Sequence, residues 1–215
     1  FQVKKILAGV QFTIVIVLIA SATVMLRQIS FLKEKDLGFD KEYVLTAVFD
    51  FGNEAKYNTL KQALLEKSYV STVSVASRIP SGSLNNQGFV LPEGQTEGII
   101  INYVHVTFDY FRTLGIKPIQ GRLFSDQYKT DATESIILNK AAVAKLELVG
   151  NPIGQMIKCS WPKSVRKVVG VIDDIHFESL HNKVKPVVYV IDYNEAYHLI
   201  IKAKPSDVTT SKDAI

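Results

Sequence analysis

An uninterrupted apolar run at residues 6–26, ILAGVQFTIVIVLIASATVML, most constrains how this chain can fold. The run contains no charged side chain, and Lys4, Lys5 and Arg27 bracket it. A helix of that length reaches about 30 Å at ~1.5 Å per residue, which matches the hydrocarbon core of a bilayer. We therefore predict that residues 1–26 contain a transmembrane helix. Membrane lipid is its expected environment, and the side chains assigned to the anchor are Ile6, Phe12, Ile16 and Leu26.

Two other interpretations of the run remain open. Lys4, Lys5, the apolar core and the small residues 20–22 also fit a cleaved secretory signal. The run is, however, longer than the roughly 7–15 residues usual for a signal core. A buried core helix is the third interpretation, but such helices rarely stay uncharged on every face over this length. The lysines favour a cytoplasmic amino terminus, which would place the following domain outside the cytoplasm.

The helix is expected to continue past the membrane as a stalk over residues 27–42. Ile29 and Leu32 extend an apolar face through residues 27–36, which favours a continuing helix. Gly38 can take the left-handed conformation that ends helices, and Phe39 can close the cap through an apolar contact. A helical stalk of this kind is stiff enough to transmit motion.

Composition excludes several classes of function. The net charge is +4, and the lysines and arginines are scattered among acidic residues, so nucleic acid is not an expected partner. The single Cys159 excludes an internal disulfide and a cysteine metal site. The residues after the apolar run are numerous enough to bury one or two cores.

Local patterns predict a mixed fold after the stalk. Residues 43–51 and 70–77 are predicted strands that flank a helix at 54–67, and residues 78–88 are a turn-rich boundary. The later predicted strands are 89–91, 99–107, 134–138, 165–172, 186–191 and 197–203, and the later predicted helices are 108–114 and 139–146. The first two of these strands flank a turn and suggest a hairpin, and Asn139 is the expected cap of the last helix.

Five residues in one segment are the best candidates for chemistry: Asp173, Asp174, His176, Glu178 and His181. Their side chains are of the types that bind zinc. The alternative is a strand end at which carboxylates cap and histidines pack, and we predict no metal. Two S-x-x-K matches, at 30–33 and 160–163, are attributed to chance, and no phosphate-binding glycine loop occurs. We predict no catalytic residue and no cofactor.

Two further segments are candidates for contacts. Phe108, Tyr110 and Phe111 could form an exposed patch, but aromatic residues at helical spacing belong more often to a core. The polar loop at 81–87 is the best candidate for an exposed contact loop, although a plain mobile loop fits equally well. Its assigned residues are Ser81, Gly82, Asn85 and Asn86.

Seven short motifs, in order, resemble the permease subunits of the MacB/FtsX-type ABC transporter family. They are VQFT at 10–13, KDLGF at 35–39, DYFRTLGI at 109–116, GRLFS at 121–125, ILN at 137–139, NPIG at 151–154 and VGVIDDIHFESLH at 169–181. The resemblance implies an α+β fold with a transmembrane helix, a stalk and a two-lobed periplasmic domain. A porter-like lobe would comprise residues 43–77 and 197–215 and be truncated at its carboxyl end. A β-rich lobe, residues 78–196, would be inserted into it.

The resemblance also implies a function. We expect a non-catalytic fragment of an inner-membrane permease, in which a cytoplasmic ATP-binding subunit moves the stalk and the periplasmic lobes export or extract a substrate. The expected partners are that subunit, the remaining transmembrane helices of the permease and, as a further option, a second copy in a dimer. A membrane-anchored periplasmic sensor or ligand-binding module is the alternative. A secreted enzyme would need a catalytic cluster that the sequence does not supply.

Overall fold

The computed structural model describes residues 2–34, 38–49, 52–80, 82–178 and 182–204. The chain divides into two compact units, Phe1–Leu37 and Gly38–Ile215.

The described residues of the first unit form one helix, α1 (Gln2–Glu34). Within it, Lys4–Ser30 is long and apolar enough to cross a membrane by length and composition, and none of this stretch is buried within the structure. Thr13 and Thr23 donate their hydroxyl protons to the carbonyls one turn earlier, at 3.0 and 2.8 Å, so the helix itself satisfies these polar groups. The predicted apolar helix is confirmed, whereas residues 35–37 of the predicted stalk lie outside the described residues. Ile29 is exposed on this helix, and only the backbone of Leu32 is described.

The second unit combines strands and short helices. In chain order they are β1 (Val44–Val48), α2 (Glu54–Leu65), β2 (Val70–Ala76), β3 (Gln87–Pro92), β4 (Ile99–Val106), α3 (Tyr110–Thr113), β5 (Pro118–Gly121), α4 (Asp131–Glu134), β6 (Ser135–Asn139), α5 (Lys140–Lys145), β7 (Met156–Ser160), β8 (Lys163–Ile172), β9 (Val187–Ile191) and β10 (His198–Ala203). The predicted α+β class is confirmed.

Six of the strands close into a ring. The order β4-β3-β7-β8-β6-β9 returns to β4 through a parallel pairing between β4 and β9, with Tyr103 opposite Val188. Because successive residues of a strand point to opposite faces, alternate side chains of each strand turn into the ring. Buried residues from all six strands, among them Val90, Ile136 and Ile157, form one apolar cluster. Side chains from α5 and the residue that follows it complete this cluster.

A second part of the sheet carries helix α2. Strand β10 lies between β1 and β2 and is antiparallel to both, and β2 joins the ring through one pairing, Ala76 with Val106. Tyr57 of α2 is buried in a separate cluster against this sheet, and Leu60 and Leu64 pack partly on the same cluster, as the helical spacing predicted. The sheet therefore runs continuously through the second unit, and the division into two lobes remains a prediction.

Several predicted bounds need correction. Glu134 is the last residue of helix α4 rather than the first residue of a strand, because β6 begins at Ser135. Helix α3 begins at Tyr110 rather than at residue 108, and Tyr110 is fully buried. The short strands β5 and β7 were not predicted. The β3–β4 hairpin is confirmed, and so is the Asn139 cap, whose Oδ1 accepts a hydrogen bond from Ala142 N at 2.9 Å.

Candidate functional site

The second unit begins with an entry segment, residues 38–40, that is fastened to the folded core. Gly38 has a φ of +82°, and a Cβ atom there would lie 2.5 Å from the carbonyl oxygen of Asp174, so only glycine fits this approach. Phe39 packs on the cluster that contains α3. The backbone N–H of Asp40 donates to Leu114 O at 2.8 Å. Whether Gly38 also caps α1 remains a prediction, because residues 35–37 are not described.

The carboxylate of Asp40 ties the entry segment to strand β10. Its Oδ2 lies 2.7 Å from Nζ of Lys202, and its Oδ1 accepts a hydrogen bond from Glu42 N at 2.9 Å. The hydrogen bond from Lys202 is the main cause that holds the pKa of Asp40 below its usual value. Gly115 faces the same carboxylate, because a Cβ atom there would lie 3.1 Å from Cβ of Asp40. The entry segment therefore contacts both β10 and the turn that follows α3.

A cleft of about 600 Å³ opens beside this turn. Phe108, Phe111 and Phe124 contribute apolar lining, and Gly115 belongs to its wall. The cleft and the entry segment thus share one element, the turn after α3. Phe111 is buried and Phe108 is half-buried, so the aromatic stripe predicted to be core serves mainly as core and also lines the cleft.

The lining of the cleft also carries charges of both signs. Asp109 pairs with Lys61 and with Arg112, whereas Lys117 and Asp126 are exposed. Pockets that combine an apolar lining with a few polar groups are the usual sites for ligands. Among the described residues, no three His, Cys, Asp or Glu side chains are grouped so that they could hold a metal ion. The chemistry of the cleft suits binding of an amphipathic ligand.

The acidic segment at residues 173–178 has structural partners in the described structure. Asp173 Oδ1 lies 2.9 Å from Nζ of Lys140, and this hydrogen bond is the main cause that lowers the pKa of Asp173. Oδ1 of Asp174 accepts a hydrogen bond from Ala141 N at 2.9 Å, in the first turn of α5. These carboxylates therefore act at a helix start, as the capping interpretation proposed.

Glu178 of the same segment has different partners from Asp173 and Asp174. Oε1 of Glu178 accepts hydrogen bonds from Lys185 at 2.5 Å and from Leu84 N at 3.2 Å. The hydrogen bond from Lys185 is the main cause that lowers the pKa of Glu178. His176 is partly buried, and His181 lies outside the described residues.

The predicted contact loop is anchored at its carboxyl end. Asn85 Oδ1 accepts a hydrogen bond from Nε of Arg78 at 3.1 Å, and Asn86 Oδ1 accepts another from the same guanidinium. Gly82 N donates to the carbonyl of Ile79 at 3.0 Å. Ser81 lies outside the described residues, and the role of this loop in contacts remains a prediction.

Sequence reasoning did not find a polar pair that joins a buried histidine of the ring to a partly exposed carboxylate. His105 on β4 is fully buried, and its Nδ1 lies 3.5 Å from Oδ2 of Asp192, just after β9. The contact with His105 is the main cause that lowers the pKa of Asp192. The ring of Trp161 lies 4.4 Å from that of His105, centroid to centroid. No local signal joins these residues, because pairing of distant strands brings them together.

Comparison with known proteins agrees with this architecture. The family model of the MacB-like periplasmic core domain matches residues 6–215. The periplasmic region of MacB from Actinobacillus actinomycetemcomitans superposes with a TM-score of 0.56 at 16% identity, over 84% of each chain. The extracellular domain of the noncanonic ABC-type transporter YknZ from Gram-positive bacteria gives a TM-score of 0.53 at 14% identity, over 78% of this chain and 88% of that one. No curated protein matches the sequence. The chain belongs to the family of MacB-like periplasmic core domains, as its resemblance to MacB/FtsX-type permeases predicted.

Proposed function

We propose that this chain is the membrane-anchoring and periplasmic part of an ABC transporter permease that transmits ATP-driven motion to a substrate. Helix α1 anchors the chain in the inner membrane, and the second unit lies on the periplasmic side. A separate cytoplasmic subunit hydrolyses ATP. The remaining transmembrane helices of the permease and a second copy of the chain complete the assembly.

The observation that carries this proposal is the attachment of the entry segment to a wall of the cleft. A force applied to the chain at residue 38 would act on two contacts of Asp40. These are the hydrogen bond from its backbone N–H to Leu114 O and the ion pair of its carboxylate with Lys202. Leu114 directly precedes Gly115, which lines the cleft. Displacement of the entry segment would therefore move the turn after α3 and change the shape of the cleft. A packed core transmits such a displacement, because protein interiors are close-packed and resist compression.

The test is to purify the native protein in mild detergent and to look for a co-purifying subunit with vanadate-sensitive ATPase activity. A Lys117→Cys variant then reports on the cleft through its rate of thiol labelling, since Lys117 is exposed at the cleft and the one cysteine of this sequence, Cys159, is buried. We expect the labelling rate to differ between the nucleotide-free and the vanadate-trapped states.

Two changes should reduce or remove that difference while ATP hydrolysis continues. One is an insertion of glycines after Arg27, which softens the helix. The other is Asp40→Ala, which removes the ion pair with Lys202. Glu42→Ala is the matched control, because it removes an exposed carboxylate two residues away. The proposal is wrong if Asp40→Ala and Glu42→Ala both leave the difference in labelling unchanged.

The cleft also favours a second candidate, a membrane-anchored sensor that binds a ligand in the periplasm. A pocket of about 600 Å³ is within the range of small-molecule sites. If the native protein purifies without an ATPase, the permease proposal fails and the sensor becomes the first candidate.

A further inference from the structure

The outer wall of the ring has a covered part and an open part. On β6, β8 and β9, the outward side chains Ile137, Val169 and Tyr189 are buried in the cluster that contains α3. On β3, β4 and β8, the side chains of Phe89, Ile100 and Val165 are 56%, 54% and 53% exposed. Contiguous exposed apolar side chains on a soluble domain usually mark an interaction surface.

The register of the strands places these exposed side chains on one face. Phe89 lies opposite Ile100 in the β3–β4 pair, and Leu91 lies opposite Lys158 in the β3–β7 pair. Lys158 in turn lies opposite Val165 in the β7–β8 pair. We call this face the open face and define it by Phe89, Leu91, Ile100, Lys158, Lys163, Val165 and Lys167. Its β3–β4 half is apolar, and its β7–β8 half is cationic.

A shallow cleft of about 270 Å³ lies in this face. Phe89 and Leu91 line it together with Lys158 and Lys163, and none of the lining residues that the structure describes is acidic. Gly98 has no side chain that could cover Phe89, whereas a Cβ atom there would already be in van der Waals contact with Phe89, 3.5 Å from its Cβ. The cleft can therefore receive a few apolar side chains beside two ammonium groups.

The lysines of the open face are available for a partner. Lys158, Lys163 and Lys167 are exposed, and none of them forms a salt bridge with a residue that the structure describes. These three cations, beside an apolar surface, are complementary to an apolar segment bordered by carboxylates. Such complementarity raises the association rate and selects the partner.

We propose that the open face binds an acidic amphipathic helix of another protein. Each of β3, β4 and β7 has neighbours on both sides, so a partner cannot add a strand to them and must lie on the face. A helix packed on a sheet is the usual way to cover an apolar sheet face. The shallow cleft in this face can receive individual side chains of a protein, whereas a bilayer surface is too broad to enter it.

A second copy of the chain does not supply this helix from its described residues. In the second unit the one described helix longer than two turns is α2, which carries two lysines, Lys56 and Lys61, and one acidic residue, Glu54, and is therefore not acidic. Because the described helices of this chain do not fit, we assign the surface to a helix of a different protein. This inference concerns a surface other than the cleft beside α3 and does not depend on the proposed function.

The test uses the full chain in phosphatidylcholine nanodiscs and a synthetic fluorescent peptide. The peptide is a helix of about 18 residues with leucines at i, i+3, i+4 and i+7 and glutamates along both edges of that stripe. We expect saturable binding by anisotropy that weakens with salt, because exposed charges are screened. A second peptide with lysines in place of the glutamates should not bind.

Charge reversal and apolar truncation give the decisive variants. The triple variant Lys158→Glu, Lys163→Glu, Lys167→Glu should weaken binding of the acidic peptide at least about tenfold and gain binding of the lysine peptide. Reversal of three exposed lysines elsewhere, Lys56, Lys67 and Lys129, is the matched control and should leave the affinity unchanged. Phe89→Ala should weaken binding about tenfold, whereas Val149→Ala, at a side chain that is 89% exposed, should not.

Three results would overturn the proposal. The first is absent binding or binding that the triple variant does not change. The second is lysine-dependent binding to phosphatidylglycerol vesicles without binding of the peptide, which would assign the face to a membrane surface. The third is a dimer in light scattering that the triple variant dissociates, which would assign the face to a second copy of the chain.

Discussion

Residues 121–131 and residues 173–178 both carry acidic groups with basic partners, yet the fold uses them in opposite ways. Asp131 is fully buried and accepts hydrogen bonds from Arg122 at 2.5 and 2.7 Å, from Ser125 N at 3.0 Å and from Ser135 Oγ at 2.7 Å. Asp173, by contrast, is 61% exposed beside a lysine that is 54% exposed. The density of charged residues made the second segment conspicuous in the sequence. Burial and the number of donors show that the fold depends on the first.

The largest loss of stability in this comparison is expected from Asp131→Ala. Removal of a buried carboxylate leaves its partners unpaired, and breaking such a pair typically costs 3–5 kcal/mol. Because the side chain of Arg122 is 36% exposed, we expect a loss near the lower end, about 3 kcal/mol of the free energy of unfolding. Urea unfolding of the nanodisc-bound chain, followed by circular dichroism, measures the change. Asp126→Ala, at an exposed position in the same segment, should change the stability by less than about 0.5 kcal/mol.

The stability contributed by Asp131 should also depend on pH. Burial by itself raises the pKa of Asp131, but hydrogen bonds from Arg122, Ser135 and Ser125 lower it overall. A lowered pKa in the folded state means that the contribution is complete above the pKa of the unfolded chain, about 3.9, and is lost as the pH falls below it. The difference in unfolding free energy between the native protein and Asp131→Asn should therefore be constant from pH 7 to about pH 5 and shrink below about pH 4. A difference that grows toward low pH would contradict the assignment.

A smaller effect is expected from Gly170→Ala, which disturbs the same region through the backbone. A Cβ atom at Gly170 would lie 2.0 Å from the carbonyl oxygen of Arg122, so the backbone beside the ion pair must shift. Overpacking of this kind costs about 1–3 kcal/mol. Gly98→Ala is the control, since its Cβ atom would make only an ordinary contact at 3.5 Å. If the backbone shift acts on the ion pair, the double variant with Asp131→Ala should lose less stability than the sum of the two single variants.

Local signals in the sequence predicted much of the fold. The apolar run predicted α1, the spacing of Tyr57, Leu60 and Leu64 predicted the buried face of α2, and Asn139 predicted the start of α5. Each of these features depends on residues within a few turns of one another. Strand β5, in contrast, could not be predicted, because its four residues are half-buried or exposed and show no alternation. Strand β7 does alternate, with Ile157 and Cys159 buried, but it is only five residues long.

The candidate site could not be predicted from local patterns. Lys202 donates to the carbonyl of Glu42 across 160 residues of sequence, and the ring closes through a parallel pairing between β4 and β9. Such contacts depend on the order of strands in the sheet, which no short motif encodes. The motif at residues 121–125 shows the same limit. Arg122 belongs to that motif, but its partner Asp131 lies outside it, and no local pattern shows that Asp131 is buried.

The exposed pair provides the smallest prediction and the sharpest control for the comparison. Lys140→Ala removes the partner of Asp173, but both groups stay in water, where such pairs contribute about 0–1 kcal/mol. We expect a loss below about 0.5 kcal/mol, and the loss should fall further in 0.5 M salt because the charges are screened. The Asp131 pair should be much less sensitive to salt, since its carboxylate is shielded from solvent. If Lys140→Ala cost as much as Asp131→Ala, burial would not be what separates the two segments, and the start of α5 would depend on its exposed ion pair.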